Sequence, residues 1–202
     1  MRFERPVLVA LFAASVLIVT TALGFGFVDA SVLDSETAVD SSVGTSQIDN
    51  ASASLDGPVT LYVAGDGWLE ARMTDRLAEE LADRGATVNR VESLEGDSED
   101  PILAVVVTES SVTYSPIAPT STVKTDVAYV HSGNATLASS MIEGEPTVVG
   151  NRDAYVVGGE VTVSDRSRGL ATWPAYQRRV ATANADAVID ALTSAPGMDQ
   201  PN

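Results

Sequence analysis

Read for polarity alone, the chain opens on a long apolar block. Val7 to Val28 carry no charge over 22 positions. As helix, such a run is about 33 Å long at 1.5 Å per residue, which matches a hydrocarbon core of about 30 Å. Arg2 and Arg5 precede it beside Glu4, whereas Asp29, Asp34, Glu36 and Asp40 follow, with no base before Arg72. The positive-inside rule therefore predicts a single pass with the start cytoplasmic and the remainder extracytoplasmic. The run exceeds the roughly 7–15 apolar residues of a cleavable signal core, which favours an uncleaved signal anchor over residues 1–28. Cleavage near Val28-Asp29-Ala30, with Gly24 and Gly26 breaking the helix ahead of it, is the alternative.

The pattern then changes. Residues 29–57 hold six acids, no base and seven serines, without an aromatic or a sustained period. A stretch this poor in apolar area does not offset its ordering entropy, so it is expected to be a flexible, disordered acidic tether. From Pro58 to about Ala195 the polarity is that of one folded domain, with residues 196–202 expected as a disordered tail.

Within the domain, VTLYVA (Val59–Ala64) reads as a strand ended by Gly65-Asp66-Gly67. Leu69, Met73, Leu77 and Leu81 then recur every four residues, opposite Glu70, Arg76, Glu79, Glu80 and Asp83. That spacing predicts an amphipathic helix, which Gly85 would end. Ala86–Val91 and Ile102–Thr108 follow as strands, the second apolar on both faces and so central. Ser115-Pro116-Ile117-Ala118-Pro119 should interrupt pairing before Ser121–Val130 resumes it. Ser132-Gly133-Asn134 is expected as a hairpin turn. Ala135–Ile142, Thr147–Val149 and Ala154–Val163 are expected as further strands, with Gly144, Pro146, Gly150, Gly158 and Gly159 marking turns or bulges. The last helix should start at Pro174 and place Tyr176, Val180, Ala183, Ala187, Val188, Ala191 and Leu192 on one face, with Pro196-Gly197 stopping it. The expected class is α+β: a mixed, mostly antiparallel sheet with two helices on one face, behind the anchor and tether.

Composition narrows the chemistry. The 202 residues carry a formal charge of −16, with 28 acids against 12 bases, one histidine and no cysteine. Without cysteine there is no disulfide framework, thiolate metal site, cysteine nucleophile or lipidated cysteine. The acid excess argues against nucleic acid as a partner, because no basic stripe exists to displace counterions. Lys124 is the one lysine, and 45% of residues are apolar, so the charge does not signal general disorder. Molar salt shortens the Debye length to about 3 Å and removes most self-repulsion, so this composition predicts adaptation to high salt.

No motif names a reaction. His131 has no second histidine and no serine in a strand-to-helix elbow to activate, so a local structural role is expected. Gly65-Asp66-Gly67 lacks the third glycine of a dinucleotide site and the Gly-Lys-Ser/Thr ending of a phosphate loop. A tight turn capping the helix, with Glu70 in its first turn, is the expected reading. Asp165-Arg166-Ser167-Arg168-Gly169 has the alternation of a calcium loop, but its glycine is misplaced and the distal glutamate is missing. The acidic run Glu92, Glu95, Asp97, Glu99 and Asp100 is expected as a solvated loop. Arg166, Arg168, Arg178 and Arg179 form the densest basic cluster and are candidates for docking an acidic partner or a lipid headgroup, beside the simpler role of pairing with nearby acids. Asn50-Ala51-Ser52 and Asn134-Ala135-Thr136 are sequons, making Asn50 and Asn134 candidate glycosylation sites.

The helix LEARMTDRLAEELADRG and the strand end VSDRSRGL feeding a last helix resemble the α+β domains of curli-secretion and outer-membrane-assembly lipoproteins. The corresponding positions are Met73, Asp75, Leu77 and Leu81. The whole plan also resembles single-pass, membrane-anchored proteins of halophilic archaea, a resemblance that carries no activity. With no catalytic constellation in the sequence, the expected function is a non-catalytic interaction or assembly module of the cell envelope, with the bilayer and an envelope protein as partners and no cofactor or metal. A carboxylate-based surface hydrolase, or a small-molecule or ion-binding module of a transport system, remains as an alternative.

Overall fold

The fold comes from a computed structural model that describes residues 33–47, 53–65, 67–145 and 155–198. The predicted membrane span and Asn50 lie outside the described residues. Among the described residues no helix is long and apolar enough to cross a membrane.

The chain runs β1 (Leu33–Gln47), β2 (Pro58–Ala64), α1 (Gly67–Asp83), β3 (Thr87–Val91), β4 (Ile102–Thr113), β5 (Thr120–Val130), α2 (Ala135–Ile142), β6 (Tyr155–Gly169) and α3 (Trp173–Thr193). The strands form one sheet of six in the order β1-β6-β5-β4-β2-β3. The β2-α1-β3 unit gives a parallel pair, and β2 is also parallel to β4. The remaining pairs are antiparallel. The class is thus mixed α+β, with three helices rather than two.

Alternation decides the layers. Leu61, Val63, Leu103, Val105, Val123, Val127, Tyr129, Val157, Val161 and Val163 face a core completed by α1 and α3. Leu69, Met73, Leu77 and Leu81 of α1 are buried there, as the four-residue spacing predicts, with Tyr176, Val180, Val188 and Leu192 of α3. Gly85 ends α1 at φ 92°, the left-handed position expected of it. The opposite sheet face has a smaller core, in which Ile102, Ala104, Ala128, Val130 and Val156 meet Ala135, Leu137 and Ala138 of α2.

Four expectations are corrected. Residues 33–47, assigned to a disordered tether, form edge strand β1, paired with β6 along its whole length. The stabilising partner lies more than a hundred residues downstream, so local composition does not register it. Val39 and Val43 pack partly into the main core, and Ala53 and Leu55 are buried in it. The start of the expected tail is also held, by Ala53 N–H donating to Gly197 O at 3.0 Å and Tyr155 O–H to Pro196 O at 2.9 Å.

Ala135–Ile142, expected as a strand, is α2, and the expected hairpin turn is its entry. Asn134 is the N-cap, accepting the Leu137 N–H at 2.9 Å. Finally, Gly158 and Gly159 lie in unbroken register within β6 instead of marking a turn or bulge. A Cβ on Gly159 would collide with Ser42 O of β1, so glycine there permits close strand approach. Thr147–Val149, Pro146 and Gly150 lie outside the described residues.

Candidate functional site

The segment with calcium-loop alternation is the end of β6, and its alternation is the pleat of a strand. Asp165 and Ser167 point into the main core, at 3% and 0% exposure, while Arg166 and Arg168 are exposed. Asp165 Oδ1 accepts from Thr37 Oγ1 at 3.0 Å and from Arg179 Nε and Nη2 at 3.1 and 3.0 Å. Its Oδ2 accepts from Ser167 Oγ at 2.8 Å. The guanidinium, with two N–H groups on one oxygen, and two hydroxyls compensate for burying the carboxylate and tie β1, β6 and α3 together. Three donors converge on Oδ1 and one on Oδ2, all from the protein itself, which is the pattern of a structural carboxylate. Tyr176 O–H is buried beside this group, and burial, reinforced by the Asp165 carboxylate, pushes its pKa up to about 12.

This arrangement divides the predicted basic cluster. Arg179 belongs to the buried network, and Arg178 is exposed on α3, beyond the covered face of the sheet. Arg166 and Arg168 lie on the other face of β6, where register puts them opposite Glu36 and Asp34 of β1. The four arginines therefore do not form one patch. The acids facing Arg166 and Arg168 come from residues 33–47, whose pairing is not visible from local sequence.

Arg166 and Arg168 mark the upper end of a half-face that α2 does not cover. Its neighbours are Asp40 and Ser42 on β1, Thr162 and Ser164 on β6, Thr122, Lys124 and Asp126 on β5, and Glu109 and Ser111 on β4. Lys124 Nζ lies 3.8 Å from Glu109 Oε2. Asp126 is opposite Glu160, and its pKa is raised first by partial burial and then by that carboxylate, against the pull of Lys124. This is a pair of carboxylates, but it sits on a flat strand surface.

The other candidates have local roles. His131 is exposed in the turn after β5, and its backbone N–H donates to Tyr155 O at 3.1 Å. Gly65 N–H donates to Glu70 Oε2 at 3.1 Å, fastening the strand end to the first turn of α1, while Asp66 lies outside the described residues. A Cβ on Gly65 would come within 2.9 Å of Val107 Cβ, so the glycine serves packing. The acidic loop exposes Glu92, Glu95, Asp97 and Glu99 as expected, but Ser98 pins it by donating its N–H to Gly133 O at 2.8 Å. Among the described residues no group of three or more His, Cys, Asp or Glu could hold a metal ion. Asn134, the described sequon asparagine, is half-buried and engaged as the α2 cap. Of the helix positions carrying the lipoprotein resemblance, Met73, Leu77 and Leu81 are buried, and Asp75 is ion-paired with Arg90 at 2.7 Å.

No protein-family model matches the chain, and no curated protein matches it. Among solved structures, it is similar to the PelC dodecamer from Paraburkholderia phytofirmans, at 11% identity and TM-score 0.36, covering 75% of this chain and 96% of that one. It is also similar to lipoprotein GNA1162 from Neisseria meningitidis, at 13% identity and TM-score 0.33, covering 66% of this chain and 98% of that one. At these scores the structural resemblance is weak.

Proposed function

We propose that the protein is a non-catalytic interaction and assembly module of a cell envelope. Residues 7–28 anchor it in the membrane, the N terminus is cytoplasmic, and the domain works outside in high salt. The observation that carries this reading is the open half-face. It is polar, continuous across β1, β6, β5 and the outer part of β4, and bordered by a strand with one described neighbour. Such a surface suits a protein partner, which can add main-chain pairing along β1 and polar contacts across the face. Arg166 and Arg168 are the docking residues of this reading. Arg179 is committed to Asp165, and Arg178 lies on the wrong side of the sheet.

The net charge supports the solvent assignment, since charge of one sign at this density is tolerated where salt screens it. Photocrosslinkers at Ser42 and Thr162, used in intact membranes at molar salt, test the reading. A discrete adduct with one envelope protein, weakened about tenfold or more by joint Arg166→Gln and Arg168→Gln substitution, is expected. Folded, membrane-retained protein that gives no adduct at either position overturns it.

A further inference from the structure

The large apolar side chains exposed on the described domain are Tyr114, Ile117 and Leu170, at 39%, 64% and 65%. All three lie at one end of the sheet. Tyr114 and Ile117 belong to the connection from β4 to β5, and Leu170 follows β6. The two segments are held together as a rigid tip. Gly169 N–H donates to Ile117 O and Ala171 N–H to Pro116 O, each at 3.0 Å. Tyr114 O–H donates to Ala171 O at 2.8 Å, and its ring meets Trp173 edge-on at 5.2 Å. The backbone thus holds Ile117 and Leu170 outward with no described residue covering them.

The start of the domain is at the same end. Leu33 is the register partner of Gly169, the residue before Leu170. The apolar run ends at Val28, so four residues, 29–32, join it to β1. Even fully extended, the step from Val28 to Leu33 reaches at most about 18 Å. A chain leaving a bilayer at Val28 must therefore keep this end of the domain near the membrane, whatever the tilt of the rest.

The charge distribution agrees. In a chain of net −16, residues 110–123 carry no charge, and residues 166–177 carry Arg166 and Arg168 alone. The acids facing those arginines are Glu36 and Asp34, one for each, so the tip adds no net negative charge. The acidic loop Glu92–Asp100 is tied to Gly133 at the opposite end of β5. An apolar, locally neutral point on a chain of net −16 is the part that can enter a headgroup layer, where apolar area is buried.

We propose that this tip is a bilayer-contact surface, with Ile117 and Leu170 seated at the boundary between headgroups and acyl chains. The domain then stands tip-down on its own membrane and turns α2 and the acidic loop away from it. This inference rests on the anchor reading, and the test separates the two. Because the chain has no cysteine, single labels are unambiguous. Full-length Ile117→Cys, Leu170→Cys and, as control, Asp97→Cys would each carry an environment-sensitive fluorophore. Each would be reconstituted in phosphatidylcholine vesicles with and without phosphatidylglycerol, at molar salt. Nitroxide lipids should quench the labels at 117 and 170 about twofold or more beyond the label at 97, in either vesicle. Release of the full chain by alkaline carbonate would overturn the anchor and the contact together. Retention with all three labels equally unquenched would overturn the contact alone. A blue shift at 117 and 170 without nitroxide quenching would assign the tip to a second copy of the chain and overturn the proposal as well.

Discussion

The two faces of the sheet are made by alternate residues of the same strands, yet they are finished differently. Under α1 and α3 every strand contributes apolar side chains, and the one carboxylate admitted at the β6 end, Asp165, is enclosed by donors from three elements. On the other face, α2 covers Ile102, Ala104, Ala128, Val130 and Val156 at one end and leaves polar residues along the rest. One face is built for cohesion, while the other trades apolar burial for an accessible surface. The strands follow that division residue by residue: on β6, Val161, Val163 and Asp165 turn inward, and Glu160, Thr162, Ser164 and Arg166 outward.

The comparison breaks most sharply at Asp165. Asp165→Ala removes the acceptor for Arg179, Thr37 and Ser167 and leaves a partly buried guanidinium unpaired. The expected loss is about 3–5 kcal/mol, read from urea unfolding in molar salt, with the amides of β1 losing exchange protection first. A loss under about 1 kcal/mol would mean that the network does not hold the covered face to β1.

On the other face the interactions are smaller. Asn134→Ala should cost about 1 kcal/mol by removing the α2 cap, with faster exchange of the Leu137 amide as the local sign. Unchanged exchange there would deny Asn134 its capping role. The same substitution removes the sequon, so this measurement belongs on unglycosylated protein.

The smallest effect has the opposite sign. The folded pKa of Asp126 is raised, so its ionised form opposes folding at neutral pH, and that opposition fades as pH falls through the raised value. Asp126→Asn should therefore stabilise the protein near neutral pH in dilute buffer. Because the group is only partly buried and still meets solvent, the gain should fall toward the low end of about 0.2–1 kcal/mol. It should shrink in molar salt and vanish in acid. A gain that persisted at acid pH would point to a cause other than charge.

What was legible in the sequence follows the reach of each interaction. The four-residue spacing from Leu69 to Leu81 reports α1 because one helix face needs one partner surface. The double-sided apolar run at Ile102 reports a central strand in the same way. β1 was not legible, because its main-chain partners are supplied by β6 and its polar residues face solvent as an edge strand allows. α2 is eight residues long and rich in serine and alanine, too short for a helical period to declare itself. The Asp165 site was half visible: the Asp-x-Ser-x-Gly alternation was there, but its meaning depended on recognising a pleat instead of a loop. Arg179 stood out as a base, and only the packing of α3 on β6 shows that its charge is directed inward.

The pairing of β1 with β6 also sets an order of events during synthesis. β1 leaves the ribosome first among the described strands, yet the strand it pairs with begins at Tyr155, after β2, β3, β4 and β5 have all emerged. At about 5–20 residues per second, the intervening chain takes roughly 5–20 s to appear. During that interval β1 lacks the strand it pairs with, while the β2-α1-β3 unit can already close on its own local contacts. β1 is therefore the last strand to be locked, and the emergence of β6 through Gly169 is the event that locks it.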